Sequence, residues 1–230
     1  MTQRAPSILQ RPVYGVAEAA GLLGLRSDRT RAWLDGYTRG GVTYQPVIRR
    51  EPTGDDLVTW GEFVELGYLR EYRRKGVPLQ RLRPVIDALR REFDTPYPLA
   101  TSKPYVYDRE LVLELQDRAD LPPAIAIVVR SGQELMLSEE AKRFFVKVEF
   151  DHAAAGEARR LLPAGRTSPV VIDPLVRFGR PSVSGVATDR LWELFDAGDP
   201  PAEIAAGYDL AVKDVEAAVA YEEQLRSLAA

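Results

Sequence analysis

Gly24 stands between two apolar stripes of helical period, and no other feature constrains the front of this chain as tightly. Ahead of it, Val16, Ala19, Ala20 and Leu23 fall at i, i+3, i+4 and i+7, the buried face of one short helix. Behind it, Thr30, Trp33 and Leu34 repeat the i, i+3, i+4 spacing and mark the inner face of a second helix, with Leu25 as the turn residue that plugs into the core. The outer face of that second helix is then Asp28, Arg29, Arg31, Ala32 and Asp35. Two short helices joined by a glycine turn make a helix-turn-helix, whose second helix offers its N-terminal side chains to base edges in the major groove. Arg29 and Arg31 can donate bidentately to guanine.

The next residues extend the same reading. After Gly36, the pieces Thr38–Tyr44 and Gln45–Arg50 are strand-like and contain Gly40-Gly41, which predicts a hairpin of the kind a winged domain requires. Arg39 and Tyr44 lie on it, and the pair Arg49-Arg50 suits a phosphate contact or insertion into a minor groove. A third helix over Trp60 to Arg74 buries Phe63, Leu66 and Leu69 or Tyr68, ends in Arg73-Arg74, and is terminated by Gly76. A fourth carries the stripe Leu79, Leu82, Val85, Ile86 and Leu89, in which Pro84 implies a kink or a later start.

This order of elements, together with the run from Gly61 to Arg83 (GEFVEL, LR, YRR, GV and LR at their spacings), resembles the winged domain of MerR-type regulators. More narrowly it is similar to the DNA-binding domain of VapB-type antitoxins with a MerR-like front end. The resemblance covers about 80 residues. It departs at Arg26, where that family places a serine that caps the recognition helix; here Ser27 takes the capping role one residue later or the cap is missing. The resemblance implies operator binding as an autorepressor and a PIN-domain ribonuclease as the neutralised partner.

Charge distribution agrees with a DNA-binding front. The chain as a whole has 31 Lys+Arg against 34 Asp+Glu, a net charge of -3 that by itself argues against a nucleic-acid protein. Residues 1–103 nevertheless hold 17 Lys/Arg against 12 Asp/Glu, whereas the remainder holds 14 against 22. A basic front is thus joined to an acidic back. The plain alternative, a helical scaffold with a solvated arginine face, accounts for the helices but not for the coincidence of turn, hairpin and basic excess in one segment.

Three prolines, Pro96, Pro98 and Pro104, place the first boundary, and three parts are expected: a winged helix-turn-helix over 12–96, an antiparallel β segment over 104–168 and a three-helix domain over 169–226, an α+β protein. In the middle part YVY (105–107), LVLEL (111–115), AIAIVV (124–129), ELML (134–137) and FFVKVEF (144–150) read as short strands.

The back segment carries Asp173-Pro174, Phe178-Gly179, Pro181, Gly185, Gly198, Ile204, Tyr208, Leu210, Val215, Ala218 and Tyr221. In these positions it resembles a small trihelical family of uncharacterised prokaryotic domains found in antitoxins, over about 53 residues. Many members have Gly-Thr-Arg where this chain has Gly185-Val186-Ala187, so that arginine's role does not carry over. The predicted stripes are Leu191, Leu194 and Phe195, then Ile204, Ala205 and Tyr208, then Val212, Val215 and Val219, with Leu210 in the turn. Asp214 and Glu216 at the start of the third helix would repel phosphate, which favours dimerisation or a partner protein there over DNA.

Other chemistry finds no support. There is no cysteine and one histidine, which removes thiolate nucleophiles and metal-site spacings and fits a reducing compartment. Gly21-Leu22-Leu23-Gly24 is not a phosphate loop because no lysine follows at the required spacing. His152 beside Asp151 is an ordinary loop residue, and Ser184 has no second histidine to activate it. No apolar run approaches the roughly 18 to 20 residues of a membrane span.

The expectation is therefore a cytoplasmic, non-enzymatic, homodimeric DNA-binding antitoxin without cofactor or metal, touching double-stranded operator DNA through Arg26, Ser27, Arg29, Arg31, Arg39, Tyr44, Arg49, Arg50, Arg73 and Arg74. The alternative is a stand-alone MerR-like regulator that senses a small organic ligand.

Overall fold

Tyr14 and Val58 face each other across a two-stranded antiparallel ladder, β1 (Pro12–Gly15) on β4 (Leu57–Thr59), and this ladder launches two helices. Val16 N–H donates to Asp56 O at 2.9 Å where α1 (Val16–Leu22) begins, and Trp60 N–H to Arg11 O at 2.8 Å where α3 (Trp60–Arg74) begins. The chain is seen in a computed structural model that describes residues 7–74, 79–102, 109–119, 127–131, 134–151 and 156–229. It divides into two units, residues 1–145 with 150–158, and 146–149 with 159–230.

In the first unit α1 ends as its sequence predicts. Gly24 adopts φ 58, Leu25 N–H reaches back to Ala20 O at 2.8 Å, and Gly24 N–H to Gly21 O at 3.0 Å. This pair of bonds satisfies the last carbonyls of α1 and requires a left-handed residue at position 24. Val16, Ala19, Ala20 and Leu23 are buried, as are Thr30, Trp33 and Leu34 of α2 (Ser27–Asp35), while Leu25 is half-buried.

Gly36, at φ 75, turns the chain out of α2; a Cβ there would lie 2.4 Å from Tyr44 O. The turn leads into a hairpin of β2 (Tyr37–Arg39) and β3 (Val42–Tyr44), closed by Gly40 and Gly41, both at positive φ. Two left-handed residues in a two-residue loop match the right-handed twist of the strands.

Gln45–Arg50 is not the second strand-like piece that its composition suggests. Val47 and Ile48 N–H both donate to Trp33 O, and the segment's carbonyls are taken by side chains: Gln80 Nε2 on Gln45 O at 2.7 Å, Arg83 Nη1 on Pro46 O at 2.6 Å, and Arg90 Nη2 on Ile48 O. With these groups satisfied sideways, Val47 and Ile48 are buried without a ladder.

Helix α3 has the bounds that the sequence predicts but is enclosed almost all round, with Trp60, Phe63, Val64, Leu66, Tyr68, Leu69 and Tyr72 at 1% exposure or less. Gly61 and Gly67 make this possible, since a Cβ would meet the Tyr97 ring at 2.4 Å and the Phe144 ring at 2.0 Å. A 3₁₀ turn at Leu79–Arg81 precedes α4 (Arg83–Glu92), whose first turn contains Pro84, so the proline starts a helix rather than kinking one.

The middle of the chain corrects the strand reading. LVLEL lies inside a helix, α5 (Arg109–Arg118), where Val112 and Gln116 at i and i+4 are buried. The Gln116 amide bonds Val128 O, Ile127 N–H and Val128 N–H, so it caps the strand that follows. β5 (Val128–Ser131) and β6 (Glu134–Leu137) form an antiparallel hairpin. Ser138 Oγ accepts from Ala141 N–H at 3.3 Å and opens α6 (Glu139–Phe145), which takes Phe144 and Phe145 out of the predicted strand. Only Val148–Phe150 remains extended, as β7, paired with β8 (Ala158–Leu161). YVY at 105–107, residues 124–126 and His152 lie outside the described residues.

The second unit contains a tight hairpin, β9 (Ser182–Val183) with β10 (Val186–Ala187), turned by Ser184 and Gly185 at positive φ. Three mutually packed helices follow: α7 (Thr188–Asp196), α8 (Pro201–Tyr208) and α9 (Val212–Ala229). Val170, Val183, Leu191, Ile204, Ala205, Val215, Ala218, Val219 and Tyr221 form their core. Phe195 and Val212, expected in the stripes, are 38% and 42% exposed because each sits at a helix end, beyond the reach of the core. Polar groups are buried in the same unit: Thr188 donates to Glu222, which also receives Arg226, whose guanidinium lies 3.5 Å over the Trp192 ring. The fold class is thus α+β, and among the described residues no helix is long and apolar enough to cross a membrane.

Candidate nucleic-acid interface

The turn between α1 and α2 is braced from behind. Arg70 of α3 donates from Nη1 to Leu23 O at 3.1 Å, so the central helix fixes the last carbonyls of α1 and hence the angle at which α2 leaves. On the solvent side Arg26, Ser27, Asp28, Arg29 and Arg31 are all exposed. Arg26 occupies the N-cap position and makes no side-chain cap, and Ser27 is the first helical residue, so of the two alternatives the missing cap is the one found. Thr30 Oγ1 donates to the cap residue's carbonyl, Arg26 O, at 3.1 Å.

Two of the arginines have carboxylate partners. Arg26 Nε and Nη2 donate to the two oxygens of Asp28, each at 3.1 Å. That side-chain bond, followed by the Arg29 amide, holds the Asp28 carboxyl below the ordinary carboxylate value, while Asp28 raises Arg26. Arg31 Nη2 bonds Asp56 Oδ1, a partner 25 residues away. Arg29 has no ion pair among the described residues.

On the hairpin, Tyr37 lies opposite Tyr44, and Arg39 opposite Val42. Directly opposed residues and those two apart share a face, so these four side chains form one surface and Thr38 with Thr43 the other. The two tyrosine rings stack at 4.6 Å. Arg39 is exposed and Tyr44 half-buried, both on this face of the hairpin.

Arg49 is a correction. Its side chain is 6% exposed, with Nε on Glu62 Oε1 at 2.8 Å, Nη1 on Asp35 Oδ1 at 2.8 Å and on Thr53 Oγ1 at 2.6 Å, and Nη2 on Leu57 O at 2.8 Å. Those bonds occupy its donors, so it cannot serve a phosphate without leaving two buried carboxylates unpaired. Burial works against its charge, but Glu62 and then Asp35 outweigh burial and raise the guanidinium. Burial likewise pushes Asp35 up, yet the Thr53 amide and Arg49 hold it below the ordinary value. Asp35 is therefore not on the outer face of α2; with Arg49 it welds the end of α2 to the start of α3. Arg50, the next residue, is exposed.

Arg73 and Arg74 stand at the end of α3, Arg73 half-buried and Arg74 60% exposed with Glu71 at 3.6 Å. A second buried pair lies deeper. Arg90 Nη2 sits 3.7 Å from Glu65 Oε2, and Glu65 Oε1 accepts Leu99 N–H at 3.1 Å. Burial pushes the Glu65 carboxyl up to about 7 despite the arginine beside it. Asp28, Asp56, Glu62 and Glu65 were not among the predicted site residues. Asp28 alone had a local signal, its position two residues from Arg26.

Over 96% of its length the chain is 34% identical to "Uncharacterized protein Rv2308" of Mycobacterium tuberculosis, of which it covers 94%. It belongs to the family of that protein. Another relative is the "Putative antitoxin VapB45" of the same organism, 31% identical over 76% of this chain and 77% of that one. Within this Rv2308 family member, residues 12–86 match the family described as "Putative DNA-binding HTH domain", which runs from β1 to the first turn of α4 and includes α2, the hairpin and the Arg49 cluster. Residues 170–221 match "Protein of unknown function (DUF433)", which spans the core of the second unit. The crystal structure of Rv2018 from Mycobacterium tuberculosis superposes with a TM-score of 0.74, covering 93% of this chain and all of that one at 24% identity, a likeness of fold.

Proposed function

We propose that this protein is a DNA-binding antitoxin that represses its own operon and neutralises a PIN-domain ribonuclease. In this reading α2 enters the major groove, the β2–β3 hairpin is the wing, and a homodimer presents two α2 helices one helical turn of DNA apart, about 34 to 36 Å. The observation that carries it is the exposed Arg26–Arg31 face of α2, delivered by the Gly24 turn inside the segment that matches a DNA-binding helix-turn-helix family. Kinship with a protein named as an antitoxin supports the second half. Charge is consistent with both: a basic front suits phosphate, and an acidic back suits the positive surface with which a ribonuclease grips RNA. Arg39, Tyr44, Arg50, Arg73 and Arg74 remain as proposed DNA contacts beside the α2 residues, and no residue is assigned catalysis.

The experiment is fluorescence anisotropy of the full chain on a duplex taken from upstream of its own gene, against a scrambled duplex. An operator binder favours the first by at least about a thousandfold at physiological salt. Equal binding overturns the repressor reading. The toxin reading is tested by co-expression with the product of the adjacent gene, where a stable complex and suppressed RNA cleavage are expected; a neighbour with no ribonuclease activity overturns it.

A further inference from the structure

We infer that Arg26 reads a guanine and that Asp28 is its positioning residue, a specificity-determining pair that rests on the DNA-binding reading above and deepens it. A guanidinium has two bidentate edges, Nε with Nη2 and Nη1 with Nη2. The Asp28 carboxylate fills the first with two bonds of 3.1 Å. The second edge is left facing away from Asp28, and it is the planar fork that matches O6 and N7 of guanine.

The other arginines of this face are held differently. Arg31 is joined to Asp56 by one nitrogen, and Arg29 has no ion pair among the described residues, so neither has its plane fixed by a two-point contact. Folding accounts for little of the pair: the side chains are 77% and 67% exposed, and an exposed ion pair adds little beside the helix-dipole interaction of Asp28 in the first turn of α2. Its chemistry favours the groove floor over the backbone, because Asp28 repels phosphate while a clamped donor fork rejects adenine, which presents an amino donor where guanine has O6.

The test uses the full chain and an operator found by selection from randomised duplexes, followed by affinities for guanine and adenine at each position. Wild type should prefer guanine at one position by about 5- to 140-fold, the equivalent of one good bidentate contact. Arg26→Ala and Arg26→Lys should erase that preference. Asp28→Asn should cut it severalfold while preferences elsewhere stand, and Asp28→Glu should restore part of it. All four variants should keep a Tm close to wild type, since both side chains are exposed and Asp28 adds only a first-turn helix-dipole interaction. A uniform gain in affinity from Asp28→Asn, with the guanine-to-adenine ratio unchanged, would mean that Asp28 merely repels DNA and would overturn the inference. Sequence preference that survives intact in Arg26→Ala sinks this pair alone, whereas a wild-type chain without any preferred duplex sinks the DNA-binding reading with it.

Discussion

Arg49 Nε lies 2.8 Å from Glu62 Oε1, with the two side chains 6% and 8% exposed, and this contact separates Arg49 from its exposed neighbour Arg50 in everything except sequence. One arginine holds helices together and the next faces solvent. The distinction arises because Asp35, 14 residues earlier, and Glu62, 13 residues later, converge on one guanidinium.

Arg49→Ala is expected to lower unfolding free energy by about 3 to 5 kcal/mol, because it leaves the buried Glu62 and the largely covered Asp35 charged without their guanidinium partner. Urea titration monitored by tryptophan fluorescence measures it. A loss below about 1 kcal/mol would show that the cluster is wet and that its pairing contributes little.

How much of this could be read from the residues depends on how local the deciding interaction is. The Val16–Leu23 stripe, the bounds of α3 and the role of Pro84 are local matters, and they stand in the structure as the sequence predicts. LVLEL reads as a strand because four apolar residues around one glutamate, without alternation, fit a strand or a buried helix equally, and the Gln116 bonds to Ile127 and Val128 decide between them. Phe144 and Phe145 moved into a helix because Ser138 caps it. At the site, the exposed arginines of α2 were legible from period alone. Arg49 was not, since nothing near it in sequence announces its two carboxylates.

Glu65 gives stability a pH dependence of its own. Its folded-state pKa is pushed up to about 7 by burial, above the ordinary 4.5, so between these values the folded chain holds a proton that the unfolded chain has released. Stability from this group is complete below pH 4.5 and is lost as pH rises through 7. Glu65→Gln, which keeps an oxygen for Leu99 N–H, removes the titration. Stability of the variant relative to wild type should therefore rise between pH 4.5 and 7. Depressed carboxylates such as Asp35 act in the opposite sense, losing stability as pH falls, but they are common to both proteins and cancel. Parallel pH curves would mean that Glu65 is ionised throughout.

Gly67→Ala sets helix propensity against packing. In the interior of α3 alanine should gain about 1 kcal/mol over glycine. Its Cβ would fall 2.0 Å from the Phe144 ring, however, and Phe144 is 3% exposed with little room to retreat. Overpacking of about 1 to 3 kcal/mol should win, so Tm falls. Combining the change with Phe144→Leu should recover stability beyond additivity in a double-mutant cycle. Additive effects would place the ring elsewhere.

Salt dependence of DNA binding separates the proposed contacts from the arginines that only fold the domain. Each side chain that neutralises a phosphate contributes about 0.9 to the slope of log affinity against log salt. Arg29→Ala, Arg39→Ala and Arg50→Ala should each flatten the slope by roughly that amount if these exposed groups touch the backbone. Arg74→Ala should flatten it less, because Glu71 already lies 3.6 Å from its guanidinium. Arg49→Ala, measured where it is still folded, should leave the slope intact while weakening affinity through the loosened junction of α2 and α3. A unit drop for Arg49 with none for Arg50 would reverse the assignment, since it would require the buried guanidinium to abandon Asp35 and Glu62 for the DNA.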